Sequence, residues 1–133
     1  KVFMGEKTTI GDFVWIFPNV TFTNDPTPPS PVLKGVTVDT FAVVCAKSVL
    51  LPGVHVGKDA LVAAGTVVTK DVPEKMVIKG NPGRVSGPVT DIRNDQGEQV
   101  YPWRYTFGRG MPWQENGYEQ YRKENSCTAD DKT

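Results

Sequence analysis

Aliphatic residues recur at every sixth position through much of this chain. Steps of six from Met4 give Met4, Ile10, Ile16 and Phe22, and steps of six from Val38 give Val38, Val44, Leu50, Val56, Val62 and Val68. The fourth residue after each is small or β-branched where the repeat is unbroken, namely Thr8, Val14, Val20, Ala42, Ser48, Val54, Ala60, Thr66 and Val72. A period of six fits neither a helix of 3.6 residues per turn nor the simple alternation of a strand.

This period suits a triangular solenoid, in which each unit of six residues forms one short strand and turns one corner. Three units complete a coil whose aliphatic residues point inward, and the small companion residue lies at the corner, where a bulky side chain would collide with the next coil. Stacked coils pair as parallel strands about 4.8 Å apart. The pattern therefore predicts an all-β fold, a parallel β-helix, in preference to a pair of ordinary sheets.

The handedness of the coil does not follow from the spacing, because connections between parallel strands are nearly always right-handed. The segments "IGDFVW", "VGKDAL" and "AAGTVVTKDVP", followed by "KGNPGR", resemble the hexapeptide-repeat acyltransferases over about residues 4–86. This resemblance implies the exceptional left-handed parallel β-helix, a homotrimer, and acetyl-CoA or a related acyl-CoA as the donor. We assign residues 1–86 to the β-helix and residues 87–133 to a C-terminal hairpin and tail that cap it.

The stretch "TNDPTPPSPVLKG" interrupts the repeat. Phe22 and Val38 are 16 positions apart, where an unbroken repeat would need 12 or 18, so a loop at residues 23–35 leaves the coil and rejoins it in a new phase. Its four prolines fix φ and remove amide donors, which keeps the loop extended and prevents it from pairing with a sheet edge. Stiff loops on a rigid scaffold often carry functional sites, although a loop that is merely tolerated is the alternative.

The base of this loop, "FTND", resembles a motif of the nucleotide-sugar N-acetyltransferases within the same superfamily. The resemblance implies that the loop reaches toward a neighbouring subunit and that Asn24 and Asp25 lie near the reacting amine. It differs from that pattern in its shorter length and in having Ser30 and Pro31 where an arginine is usual. The predicted function is acetyl-CoA-dependent N-acetylation of a dTDP- or UDP-linked amino-deoxy sugar in surface polysaccharide biosynthesis.

The single histidine, His55, supplies the main alternative chemistry. An alcohol must lose its proton as it attacks, so O-acetylation needs a base with a pKa near 7, whereas a free amine is already nucleophilic. His55 ends the regular unit "LLPGVH" and is predicted to face outward, away from the loop, which favours an amine acceptor. O-acetylation of a sugar hydroxyl with His55 as base, and a non-catalytic trimeric scaffold, both stay open.

The donor site is predicted from small residues at corners and from nearby cations. In the superfamily that the chain resembles, the pantetheine arm lies between adjacent helices against such corners, since small side chains permit close approach. The corresponding residues here are Ala46, Ala63, Ala64 and Gly65, and the cations expected to bind the CoA phosphates are Lys70, Lys79 and Arg84. Cys45 is expected to be a buried corner residue and not a nucleophile.

The six-residue repeat stops after Gly83. A hairpin is predicted around 94–97, where turn residues separate two β-prone runs. Tyr101, Trp103, Tyr105 and Phe107 alternate with other residues, which predicts a strand with one aromatic face that packs on the last coil or on a neighbouring subunit. A role in stacking on a base is the alternative for this face, and the polar chain from Glu115 onward is expected to fray.

Composition narrows the possible partners. Fifteen basic and fifteen acidic residues balance, so nucleic acid and anionic membranes are not expected as partners. One histidine cannot build the multi-ligand zinc sites of proteins, so no metal is expected. Cys45 and Cys127 are far apart, and no apolar run approaches about 20 residues, which favours a cytoplasmic protein. The chain begins at Lys1 in mid-pattern and is expected to be a piece of something longer.

Overall fold

The structure is a computed structural model, and it describes residues 1–125. The chain divides into two compact units, Lys1–Val89 and Thr90–Thr133. The first unit is built from strands, and the second contains short helices and a hairpin turn. Cys127 lies outside the described residues.

Ten strands of two residues each come first in the chain. They are β1 (Phe3–Met4), β2 (Thr9–Ile10), β3 (Trp15–Ile16), β4 (Thr21–Phe22), β5 (Thr37–Val38), β6 (Val43–Val44), β7 (Val49–Leu50), β8 (His55–Val56), β9 (Leu61–Val62) and β10 (Val67–Val68). Two longer strands follow, β11 (Met76–Gly80) and β12 (Gly83–Pro88). Short strands separated by four-residue corners are what a six-residue repeat predicts.

The strands form three sheets that are the three sides of a parallel β-helix. Sheet A has the order β1-β4-β7-β10, sheet B the order β2-β5-β8, and sheet C the order β12-β11-β9-β6-β3. Consecutive strands lie on different sides, so β1–β3, β4–β6 and β7–β9 are coils 1, 2 and 3, and β10 with β11 forms coil 4. A bridge from Val56 to Val72 continues sheet B into coil 4. The predicted fold class is confirmed.

Three edges join the three sides. The A–B edge contains residues 5–8, 23–36, 51–54 and 69–71, one segment from each coil. The B–C edge contains 11–14, 39–42, 57–60 and 73–75, and the C–A edge contains 17–20, 45–48 and 63–66. Backbone hydrogen bonds run from each coil to the next, as from Thr21 N to Ser48 O and from Val49 N to Thr66 O. Residues at matching positions of successive coils therefore stack along one edge.

The core is the column of side chains inside the coils. The second residue of each two-residue strand points inward, as does Ile78 of β11, and in coils 2 to 4 these residues and their small companions are buried. The two polar companions satisfy their hydroxyls locally, since Ser48 Oγ donates to Cys45 O at 2.9 Å and Thr66 Oγ1 donates to Ala63 O at 2.7 Å. Met4 in coil 1 is 47% exposed, because β1 is an edge strand of its sheet.

Corner residues adopt the left-handed backbone region even where they are not glycine. Seven residues have φ between 54° and 69°, namely Lys7, Phe13, Asn19, Phe41, Lys47, Asp59 and Lys75. This region is disfavoured for residues with a Cβ. On the B–C edge the rings of Phe13 and Phe41 stack with centroids 5.7 Å apart, which offsets part of that cost. The turn is thus imposed by coil stacking and not by the choice of corner residue.

The end of the β-helix differs from expectation. β12 pairs antiparallel with β11, which itself pairs in parallel with β9. The hairpin at 76–88 was not predicted, because Ile78 lies ten residues after Val68 and not at a multiple of six, so the spacing places neither β11 nor its partner strand. In consequence β12 covers the edge that β11 would otherwise expose on sheet C.

The second unit corrects two predictions. The turn at 94–97 is present, with Asn94 Oδ1 accepting from Gln96 N at 3.0 Å and Glu98 N at 2.9 Å. The aromatic strand is wrong, because Trp103–Tyr105 is a 3₁₀ helix, and the frayed end is wrong in part, because Tyr118–Glu124 is a helix, α1. The capping of the β-helix by this tail stays a prediction.

Packing among the aromatic rings explains both errors. The Trp113 ring lies 5.8 Å from Trp103 and 5.0 Å from Tyr118, and the Arg104 guanidinium lies over Tyr105 and Tyr118 at 5.0 and 5.2 Å. Trp113 Nε1 donates to Phe107 O at 3.0 Å. The rings contact one another from several directions instead of forming one face, so their alternation in the sequence does not produce a strand.

Truncating an inward side chain should cost far more stability than truncating its outward neighbour. Leu50→Ala opens a cavity in the fully buried column, so we expect a loss of about 2–5 kcal/mol in the free energy of unfolding. Val49→Ala, on the half-buried outer face of the same strand, should lose about 1 kcal/mol or less. Urea unfolding at one protein concentration measures both, and equal losses would contradict the inward column.

Candidate active site

The proline-rich loop projects from the A–B edge of coil 2, and its two ends are held together. Lys34 N donates to Asn24 O at 2.8 Å, which closes the base of the loop. On the adjoining coil, Gly53 N donates to Lys34 O at 3.1 Å, and Thr23 Oγ1 donates to Leu50 O at 2.8 Å. The loop therefore starts and ends on a base fixed to coil 3.

Asn24 fastens the same base to coil 1. Its Nδ2 donates to Glu6 O at 3.1 Å, and its side chain lies directly over Gly5, where an added Cβ would come within 2.9 Å of Asn24 Cγ. The returning segment of the loop also lies close to coil 1, since a Cβ on Gly35 would meet the backbone carbonyl of Lys7. Close packing therefore requires glycine at Gly5, within "MGEK", and at Gly35, and the six-residue repeat alone does not indicate this.

Asp25 uses both carboxylate oxygens within the loop. Oδ1 accepts from Thr27 N at 3.1 Å and Oδ2 accepts from Ser30 N at 2.8 Å. Prolines surround these two residues, so Thr27 and Ser30 supply amide donors where their neighbours supply none. Each carboxylate oxygen has a further lone pair, so the predicted contact with an amine remains chemically open. Asp25 shapes the loop, and its predicted part in catalysis stays a prediction.

His55 lies on the outer face of sheet B, as predicted from its place in the repeat. Its Nε2 lies 2.6 Å from Asp39 Oδ2, with the two side chains 50% and 40% exposed. Its backbone N donates to Asp71 Oδ1 at 2.9 Å. Sequence reasoning missed Asp39, although the parallel register of Thr37 with His55 places Asp39 beside the histidine.

Four of the predicted donor-site residues come together on the C–A edge. Gly65 N donates to Ala46 O and Ala63 N donates to Ile78 O, both at 2.9 Å, so these corners stack directly. Ala64 and Gly65 are exposed, and a Cβ built on Gly65 would have no atom within 4 Å. The edge is therefore open enough for a flat chain to lie along it.

Of the three predicted cations, two lie next to this edge and one does not. Lys79 and Arg84 are paired residues of the β11–β12 hairpin, whose Gly83 packs against Thr66 of the C–A edge. Lys70 lies between β10 and Val72, on the A–B edge. The structure thus separates Lys70 from the other two and places it on the edge that carries the loop.

The Cys45 thiol is half-buried on the C–A edge. Burial raises its pKa above the ordinary value, since desolvation penalises the thiolate. A thiol that stays protonated is a poor nucleophile, which agrees with its expected role as a corner residue.

Two further features are absent from residues 1–125. No three His, Cys, Asp or Glu side chains in this part of the chain are arranged to hold a metal ion. Within the same residues, no helix has the length and apolar character needed to cross a membrane.

Comparison with known proteins gives related sequences and folds, although no protein-family model matches the chain. Over 70 residues, 53% of this chain, it is 37% identical to 2,3,4,5-tetrahydropyridine-2,6-dicarboxylate N-acetyltransferase of Staphylococcus aureus strains JH9 and JH1. The match spans 29% of each of those proteins. This chain therefore corresponds to less than a third of the length of these relatives.

Solved structures share the fold. A galactoside acetyltransferase in complex with coenzyme A superposes with a TM-score of 0.59 at 29% identity, covering 68% of this chain and 50% of that one. Serine acetyltransferase of Brucella abortus strain S19 in complex with coenzyme A gives 0.59 at 30% identity, covering 66% and 34%. A mirror-image coil would not superpose in this way, and the predicted left-handed winding is confirmed.

Removing the Asp25 carboxylate should loosen the loop without loosening the β-helix. Asp25→Ala deletes two hydrogen bonds to a charged acceptor, so amide exchange at Thr27 and Ser30 should become about tenfold faster or more. Asp12→Ala, at an exposed acidic residue of the B–C edge, is the matched control. Hydrogen exchange followed by NMR measures both variants. Unchanged exchange at Thr27 and Ser30 would show that the carboxylate does not hold the loop.

Cys45 should react slowly with alkylating reagents until the pH is high. With Cys127→Ser removing the other thiol, we expect iodoacetamide to modify native Cys45 at least about tenfold more slowly at pH 8 than the urea-unfolded chain. Because the folded pKa is raised, the rate should still be climbing at pH values where an ordinary thiol has already ionised. A rate that levels off below pH 8 would contradict this.

Proposed function

We propose that this chain, which belongs to the hexapeptide-repeat acetyltransferase family, transfers an acetyl group from acetyl-CoA to the amino group of a nucleotide-linked amino-deoxy sugar in surface polysaccharide biosynthesis. The observation that carries the proposal is the rigid loop on the A–B edge. Its base presents Asn24 and Asp25 at a fixed position on an otherwise regular solenoid. Relatives named N-acetyltransferases support an amine acceptor.

The C–A edge is the proposed donor site. Two structural neighbours are complexes with coenzyme A, which supports a CoA ester as the donor. The exposed backbone at Ala64 and Gly65 would accept the pantetheine arm, since no side chain blocks close approach there. Lys79 and Arg84 at the adjoining hairpin would bind the phosphates, with Arg84 suited to bidentate contact.

The positions of the two proposed half-sites support a homotrimer. The loop lies on the A–B edge and the donor corners lie on the C–A edge, with sheet A between them. The loop and the donor corners of one copy lie on different edges, so adjacent copies around a threefold axis would bring the loop of one to the donor edge of the next. The outer face of sheet A carries one ladder of Phe3, Thr21, Val49 and Val67, three of them apolar, and it supplies a surface for such packing.

The proposed reaction is direct attack of the amine on the thioester. The amine nitrogen forms a bond to the acetyl carbon, the carbon–sulfur bond breaks, and CoA leaves as the thiolate. Asn24 would orient the amine through its amide, and Asp25 or the departing thiolate would take the proton that the nitrogen loses. Ala63 N and Gly65 N already donate to Ile78 O and Ala46 O, so the backbone amide of Ala64 between them would hold the thioester carbonyl.

O-acetylation with His55 as base is the second candidate, and the His55–Asp39 pair favours it. A carboxylate 2.6 Å from one ring nitrogen fixes the orientation of the imidazole, as a general base requires. Two of the structural neighbours are named galactoside and serine acetyltransferases. The outward position of His55, on sheet B and not in the loop, is the reason it ranks second.

Release of CoA from acetyl-CoA tests the proposal across a panel of nucleotide-linked amino sugars and hydroxyl sugars. We expect turnover with amines alone. Asp25→Ala should lower kcat at least about 100-fold, whereas His55→Ala should change it less than about twofold. Asp12→Ala is the control for removing an acidic side chain.

The opposite pattern of turnover would contradict the first candidate. Turnover of hydroxyl sugars that is lost in His55→Ala and kept in Asp25→Ala would replace the first candidate with the second. No CoA release with any acceptor, from a protein that is folded by circular dichroism, would support a non-catalytic scaffold.

A further inference from the structure

The proline-rich loop presents an exposed apolar tip, residues 26–32. All four of its prolines are exposed, and the Val32 side chain is 60% exposed. Ser30 Oγ accepts from Val32 N and donates to Val32 O, both at 3.1 Å, so the end of the tip is a fixed turn. A stiff segment loses little conformational entropy when it packs on another surface. The loop tip is therefore well suited to forming an interface.

A second exposed apolar surface lies on the C–A edge of coil 1. The Phe17 side chain is 42% exposed, and its ring stacks on Trp15 of β3 with centroids 6.3 Å apart. Pro18 beside it is exposed as well. At the matching corner position coil 2 has Cys45 and coil 3 has Ala63, so the Phe17 ring projects further than the rest of this edge. We call Trp15 and Phe17 the aromatic pair.

The loop tip and the aromatic pair are chemically complementary. Proline-rich segments are commonly bound by surfaces lined with aromatic rings, because the extended chain is already ordered and its proline rings pack against the aromatic faces. The tip, "PTPPSPV", supplies the prolines, and the aromatic pair supplies the rings. Neither surface contains a charged side chain, so packing them together removes no charge from water.

The geometry of one copy indicates that the two surfaces meet between copies. Both are exposed within a single copy, with the loop on the A–B edge and the aromatic pair at the C–A edge. They also lie at similar heights along the β-helix, because Asn24 fastens the loop to Glu6 of coil 1 and Phe17 directly follows β3 of the same coil. In a trimer of parallel β-helices, each loop would reach the aromatic pair of the next copy. A head-to-tail contact of this kind closes into a ring when the rotation is threefold.

We propose that the loop tip docks on the aromatic pair of the neighbouring copy and so holds Asn24 and Asp25 over the donor edge of that copy. The inference rests on the proposed function for the roles of Asn24 and Asp25. Phe17 and Val32 are positioning residues, since they act through the loop and not on the reacting atoms. The complete site then exists only where two copies meet, and its geometry depends on an apolar contact outside the reacting groups.

The first test joins the two surfaces covalently. Val32→Cys and Phe17→Cys are combined in a chain that also carries Cys45→Ala and Cys127→Ser, and the folded protein is treated with oxidised glutathione. A disulfide requires Cα atoms within about 7 Å of each other. Because each copy carries one thiol on its loop and one at the aromatic pair, we expect disulfides between copies and a closed covalent trimer in non-reducing denaturing electrophoresis.

The matched control moves the second thiol to another edge. Phe13→Cys replaces Phe17→Cys, because Phe13 is also a coil 1 corner phenylalanine but lies on the B–C edge. With Val32→Cys it should give no covalent trimer. Pro31→Cys is used in place of Val32→Cys as a second loop position, so that one unfavourable thiol geometry does not decide the result.

The second test measures the contact without engineered thiols. Phe17→Ala removes the docking surface, so amide exchange at Thr27 and Ser30 should become about fivefold faster although the loop sequence is intact. With acetyl-CoA and an amine acceptor, kcat should fall about tenfold while KM for acetyl-CoA stays within about twofold. Val32→Ala should lower kcat similarly, and the double variant should be little worse than either single variant because both remove one contact. Phe13→Ala should leave exchange and kcat unchanged.

Several results would overturn the inference. Absence of covalent trimers with either loop cysteine would do so, as would equal cross-linking to the B–C edge position. Unchanged loop exchange in Phe17→Ala, or additive losses of kcat in the double variant, would show that the two surfaces do not touch. Failure of the proposed function is a different result. Covalent trimers without any acetyl transfer would keep the docking contact and remove the acceptor, whereas acetylation of amino sugars by a protein whose cysteines never link would do the reverse.

Discussion

Backbone pairing between successive coils is the constraint on which the rest of this structure depends. Each two-residue strand pairs only with the strands directly above and below it, so a residue inside one coil must fit against the same position in its neighbours. That requirement keeps Val44, Val62 and the other interior residues aliphatic. It also forces the corners into left-handed backbone conformations at residues as unlike as Phe41 and Lys47. The small companion at each corner is part of the column, whereas other corner side chains such as Lys47 are exposed and are left available for chemistry.

The same constraint explains why the loop can be functional. A segment that leaves a corner affects only the coils that it touches, and here those contacts are few and specific. Gly5 and Gly35 admit the loop against coil 1, and Lys34 fastens it to coil 3. Within the loop, Asp25 replaces the backbone bonds that four prolines cannot make. A carboxylate that the resemblance assigns to catalysis is thus first a structural element, which couples the shape of the loop to any chemistry at its base.

The sequence predicts the regular part of this fold well because the six-residue rule is local. Val38, Leu50 and Val56 could be placed in the core from their spacing alone. Met4 obeys the spacing and is nevertheless exposed, because burial also needs a coil on each side. The site was harder to predict, since the Asp39 partner of His55 comes from another coil and depends on strand register. Lys70 is grouped with Lys79 because both are cations near the end of the β-helix, where the resemblance places the nucleotide, although a third of a coil separates one edge from the next.

The antiparallel strand β12 makes the two ends of the β-helix different. With β12 covering the outer edge of β11, sheet C offers no parallel register for another strand on that side. Lengthening by duplication of an 18-residue coil is therefore confined to the interior or to the opposite end, where β1, β2 and β3 present their edges. Such a β-helix can change its number of coils while the end that carries the hairpin, and the residues on that hairpin, stay the same.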